Sequence, residues 1–81
     1  MSCVPCSKKF KSVEIGEKFI FKYSVLQFTN ILTKFQNNYF FVSIDNGTQF
    51  GDHYNLTCLE DVLNILNNPS KYSIKEIEKY I

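Results

Sequence analysis

Tyr39-Phe40-Phe41-Val42-Ser43-Ile44-Asp45-Asn46-Gly47-Thr48-Gln49-Phe50-Gly51 is the stretch on which the fold turns. Tyr39 to Ile44 is rich in β-branched and aromatic residues, a composition that suits a pleated strand. Alternation places Phe40, Val42 and Ile44 on one face, the expected core side, and Phe41 on the other. Asp45-Asn46-Gly47 tolerates the positive φ angles of a type I′ turn, whose twist matches a two-residue hairpin. Thr48 to Gly51 is therefore expected to return antiparallel to Tyr39–Ile44.

Before this hairpin, Gln36-Asn37-Asn38 is a polar break. Val25 to Phe35 fits two templates. As a helix, Phe28, Ile31, Leu32 and Phe35 recur at i, i+3, i+4 and i+7. As a strand, Leu26, Phe28, Asn30 and Leu32 share one face, which sets Asn30 among apolar neighbours. The β-branched Thr29, Ile31 and Thr33, and strand-like flanks, favour the strand. Phe19, Phe21 and Tyr23 alternate with Lys18, Ile20 and Lys22, giving an aromatic face backed by one with two Lys. Val13 to Glu17 reads as a short extended piece turning at Gly16. Met1 to Ser12 is polar, Lys-rich and interrupted by Pro5. The expected organisation is a flexible N-terminal arm over 1–12 and a single domain over 13–81.

After the hairpin, Asp52-His53-Tyr54-Asn55 reads as a loop. Thr57-Cys58-Leu59-Glu60 has the form of a capping box, and Leu59, Val62, Leu63 and Leu66 make an apolar stripe at helical spacing. This helix must stop by Asn67-Asn68-Pro69, because the residue before proline avoids the helical region. Ser73-Ile74-Lys75-Glu76 has the form of a second capping box, with Ile74, Ile77 and Ile81 continuing a short helix. Helices this short need a sheet to lean on. The expected fold class is α+β: a small antiparallel β-meander of three to four strands, then two short C-terminal helices packed on one face.

Composition narrows the function. The chain has 81 residues, enough for one domain, and a net charge of +1. All nine basic residues are Lys, and the missing Arg fork weakens any reading as a base-specific DNA binder. No run approaches the ~20 apolar residues of a membrane span. The first residues lack the apolar stretch of a signal peptide. Three Cys make an odd number, unsuited to a disulfide framework. A cytoplasmic protein with no membrane partner is expected.

Gly16-Glu17-Lys18-Phe19 opening a strand, the polar break, and Tyr39–Ile44 running into Asp45-Asn46-Gly47 resemble small β-meander accessory proteins encoded by phages and prophages. The resemblance covers about Val13 to Asp52. It implies a viral inhibitor or sequestering protein directed at the host, of the anti-defence type, working in the host cytoplasm. It assigns no functional residues.

Several constellations bear on chemistry. Cys3-x-x-Cys6 has zinc-knuckle spacing, and His53 with Cys58 would complete a Cys₃His tetrahedron. Against this, the first pair sits in the arm and Cys58 reads as a buried, inert thiol. As a redox pair, Cys3 and Cys6 lack the βαβ setting such motifs need. His53 and Asp52 are sequence neighbours, whose side chains rarely face one another, and no oxyanion device accompanies them. Lys8, Lys9, Lys11, Lys18 and Lys22, interleaved with Tyr and Phe, form a candidate basic stripe for nucleic acid, opposed by Glu14 and Glu17. The expectation is thus a non-enzymatic protein without a cofactor, acting by protein–protein interaction or ligand sequestration. Its partner would be a host protein or a small ligand, and it would form a homo-oligomer, a dimer paired through an uncovered sheet edge. The alternative is a small zinc-supported nucleic-acid-binding module. Eight Phe and five Tyr exceed what so small a core needs, so Tyr23, Tyr39, Phe41, Phe50 and Tyr54 are the interface candidates.

Overall fold

The computed structural model describes residues 9–81. In chain order the elements are β1 (Lys18–Lys22), β2 (Gln27–Phe35), β3 (Asn38–Ser43), β4 (Gln49–Phe50), α1 (Leu59–Asn67), a 3-10 turn (Pro69–Tyr72) and β5 (Glu76–Lys79). The five strands form one sheet in the order β4-β3-β2-β1-β5, antiparallel throughout. The fold is α+β, as expected, with more strands than expected and a single α-helix among the described residues.

The stretch from Val25 to Phe35 resolves as a strand. β2 pairs with β1 on one side and β3 on the other, Phe19 facing Asn30 and Leu32 facing Phe41. One sheet face carries Phe19, Phe21, Leu32, Phe41 and Ile77, all buried. α1 covers this face with Val62, Ile65 and Leu66. The rings meet edge to face: Phe19 and Phe41 at 6.0 Å and 90°, Phe21 and Phe41 at 4.9 Å and 61°. Such pairings add to the area term that drives burial.

The face assignment on β3 is the reverse of the expected one. Tyr39, Phe41 and Ser43 are buried, while Phe40 and Val42 are half-buried and Ile44 is exposed. Both alternating sets are largely apolar, so alternation alone does not choose between them. The choice comes from register: Phe41 lies between Leu32 and Phe50 on the face that Phe19 and Phe21 define. Phe41 and Tyr39 are therefore core residues and are not free to serve an interface.

The β3–β4 hairpin forms, but not as a two-residue type I′ turn. Four residues, Ile44 to Gly47, separate Ser43 from Thr48, and of these only Gly47 has positive φ, at 76°. Side chains stabilise the longer loop. Ser43 Oγ accepts from Asp45 N at 3.1 Å, and Asn46 Oδ1 accepts from Thr48 N at 3.0 Å. Asp45 Oδ2 accepts from Thr29 N on β2 at 3.1 Å, tying the loop to the sheet.

The C-terminal segment is β5, not a helix. Ser73 takes a left-handed conformation (φ 62°) where the chain reverses, and Glu76–Lys79 pairs with the open edge of β1. Local pattern loses to tertiary context here: unpaired backbone groups along β1 find partners, and Ile74 and Ile77 are buried. Charges fit the register, with Lys22 Nζ 3.1 Å from Glu78 and Lys79 Nζ 2.7 Å from Glu17.

Two further expectations change. α1 begins after Cys58, whose side chain caps nothing. The amide of Thr57 donates instead to Asp61 Oδ2 at 3.2 Å, so the Thr57–Glu60 box does not form. The N-terminal arm is docked over its described part. Phe10 is buried, edge to face with Phe19 at 5.5 Å. Asn67 clamps its backbone in both directions, accepting from Phe10 N at 2.8 Å and donating to Phe10 O at 3.0 Å. Lys9 Nζ donates to Ile77 O at 2.9 Å, covering part of the free edge of β5.

Candidate functional site

Opposite the helix, the sheet shows a second face. Register places Ile31 beside Val42, Thr33 beside Phe40, and Ile20 beside Thr29. These side chains are half-buried, and Phe35 and Ile44 at the margins are 66% and 53% exposed. Among the described residues no helix or strand packs over this face. β-branched residues dominate it because they fit a pleated surface whether or not it is covered. Near the β2–β3 turn, Thr33, Phe35 and Phe40 wall a groove of about 480 Å³, completed by the polar Asn38, Gln49 and Asp52.

The margin of the open face is charged but internally neutralised. The ammonium of Lys22, 3.1 Å away, holds the Glu78 carboxyl below its ordinary range. On the covered side of the same edge, where Lys79 lies opposite Phe19, the ammonium of Lys79, followed by the Glu14 amide, does the same for Glu17. Lys18 Nζ lies 5.7 Å from the centre of the Tyr80 ring, and Lys9 Nζ lies 3.8 Å from Glu76. Of the basic stripe, Lys9, Lys18 and Lys22 are thus engaged within the chain, Lys11 is exposed, and Lys8 lies outside the described residues.

The expected interface aromatics divide into two groups. Tyr39 and Phe41 are in the core. Tyr23, Phe50 and Tyr54 gather at one end of the covered face. Phe28 lies 5.9 Å from Tyr23; Phe50 and Tyr54 are 5.8 Å apart, and Tyr54 and Tyr72 5.2 Å. Burial raises the Tyr23 phenol above its ordinary range, with Tyr54 adding to the effect. The open-face residues Ile20, Ile31, Phe35, Phe40, Val42 and Ile44 were not among the interface candidates. Their signal was the apolar half of each alternating strand opposite Phe19 and Phe21, hidden by the reversed face of β3.

For metal, Cys3 and Cys6 lie outside the described residues. Cys58 is exposed, not buried. His53 Nδ1 does meet Asp52 Oδ1, at 3.4 Å, contrary to the expectation for neighbours, but both side chains are largely exposed. His53 also stacks on Tyr54 with ring centres 4.2 Å apart. Among the described residues no three His, Cys, Asp or Glu side chains come together as a metal site would require. No helix among them is long and apolar enough to cross a membrane. Comparison with protein families, curated proteins and solved structures finds no match to this chain.

Proposed function

We propose that the chain is a non-enzymatic binding protein that acts by occupying a partner protein with the open face of its sheet. One observation carries this reading: Ile20, Ile31, Phe40 and Val42 lie side by side, flanked by exposed Phe35 and Ile44, on a face that no described element covers. Leaving such a surface in water forgoes about 25 cal/mol per Å² of apolar area, and contiguous apolar patches on small proteins mark interaction sites. The paired charges at its margin favour a partner surface near neutrality over a polyanion. The resemblance to phage accessory proteins extends the proposal to an inhibitor that covers a surface some host defence protein needs.

The test is a photo-crosslinking side chain in place of Phe40, activated in cells that make the protein. The expected product is one predominant protein adduct that disappears when Ile31→Asp is added. Its mass tells a second copy of the chain from a different protein. An absent adduct, or the same adduct from an exposed helix position such as Glu60, removes the proposal.

A further inference from the structure

On the covered side of the sheet, beyond the end of the helix-packed core, lies a separate cavity of about 90 Å³. Asn30 forms part of its lining and is only 4% exposed. The backbone of Asn30 is used in the sheet, between Phe19 and Ser43. Its carboxamide makes no hydrogen bond with another described residue. Buried side-chain amides are seldom left in this state, so Asn30 calls for a partner from outside the chain. Ser43, 3% exposed, lies beside it. Its Oγ accepts from the amides of Asp45 and Asn46, which leaves its O–H to donate. Tyr23, Phe28 and Phe50 supply aromatic walls, and Thr48 and Gln49 an exposed rim.

We infer that this cavity binds the planar amide edge of a small neutral ligand, with the Asn30 carboxamide pairing to it. A carboxamide presents a donor and an acceptor side by side, and an amide edge presents their complement in the same plane. The flat faces of the ligand lie against Tyr23, Phe28 and Phe50. Every lining residue is neutral, so a charged group entering the cavity would lose its water without meeting a countercharge. A purely apolar ligand would leave Asn30 and the Ser43 hydroxyl unpaired. The volume is below the ~150 Å³ of a cavity that holds benzene, so a ring ligand seats only its amide edge inside and leaves the rest at the rim formed by Thr48 and Gln49. Such an edge occurs on an open-chain amide and on a single-ring lactam. The site lies on the opposite side of the sheet from the open face and does not depend on what that face binds.

The test uses the ¹⁵N-labelled full chain, titrated separately with N-methylacetamide, uracil and benzene. Saturable shifts of the Asn30 side-chain NH₂ and of the Thr48, Gln49 and Phe50 amides are expected with at least one amide. Benzene should not produce them. The tighter of the two amides tells the open-chain source from the lactam. Asn30→Leu, close in size, should weaken binding about tenfold or more, the loss expected for one bidentate pair. If neither amide shifts the Asn30 signal saturably, ordered water is its partner and the inference fails. Equal binding by benzene, or undiminished binding by a folded Asn30→Leu, overturns it too. Should Asn30→Leu fail to fold, the titrations of the unsubstituted chain decide the matter alone.

Discussion

Phe40 and Phe41 are adjacent, identical in side chain and on the same strand, yet they belong to two different surfaces. Phe41 has no exposed area and touches Phe19 and Phe21 edge to face under α1. Phe40 is half-exposed on the opposite face, at the rim of the groove beside Phe35. Residue type does not separate them. What separates them is their cross-strand company: Phe41 sits between Leu32 and Phe50, whereas Phe40 faces Thr33. The covered face is held by complementary packing. The open face has the residues of a core and no described element packed against it.

The comparison is most directly broken by truncating the two rings in turn. Phe41→Ala should cost about 3–5 kcal/mol in a urea or guanidinium unfolding curve, the range for emptying a buried aromatic site. Phe40→Ala should cost about 1 kcal/mol, in keeping with partial burial. Equal losses would mean that the open face is covered in solution. The covered side can be probed next through the arm. Asn67→Ala leaves the Phe10 N–H and C=O without partners. A loss of about 1–3 kcal/mol is expected, with faster hydrogen exchange at the Phe10 amide.

A smaller effect is expected from pH. The Glu17 and Glu78 carboxyls are held below their ordinary value of 4.5 in the folded chain. A depressed carboxyl stabilises the fold above its unfolded pKa, and that contribution is lost as pH falls through the folded one. Stability measured by denaturant titration should therefore decline below about pH 4.5. Glu17→Gln should flatten part of that decline, at a cost of about 0.5 kcal/mol at neutral pH. The smallest effect on stability, within about 0.5 kcal/mol, is expected from Phe35→Asp with Ile44→Asp on the open face. The same pair should abolish the Phe40 crosslink, so stability and association separate there if the two faces differ as described.

Much of the sheet could be read from local pattern. The alternation of Phe19 and Phe21, the β-branched run in β2 and the chain reversal before Thr48 each report a short-range constraint and appear in the sheet, although the reversal is a four-residue loop and not a type I′ turn. Three features depend on residues distant in sequence. Ile74 and Ile77 fit helical spacing, but β1 had an edge to fill, and that demand comes from residues more than fifty positions away. β3 is apolar on both alternating sets, so only its neighbours decide which set is inside. Nothing local marks the arm as ordered, because Phe10 stands alone among polar residues and its partner Asn67 is distant in sequence. The candidate sites were partly legible: Asn30 stood out as a polar residue among apolar ones, whereas the open face followed only once the covered one was known.

The pairing of β5 with β1 joins Phe19 to Lys79, nearly the full length of the described chain. During synthesis, β1 carries a bare row of amides and carbonyls until almost everything after it has been made. A chain interrupted before Glu76 would still hold the β1–β4 meander with that row unsatisfied, and it would be open to strand addition by any extended peptide nearby. Completion of the sheet is thus a late, long-range event, of the kind that slows folding.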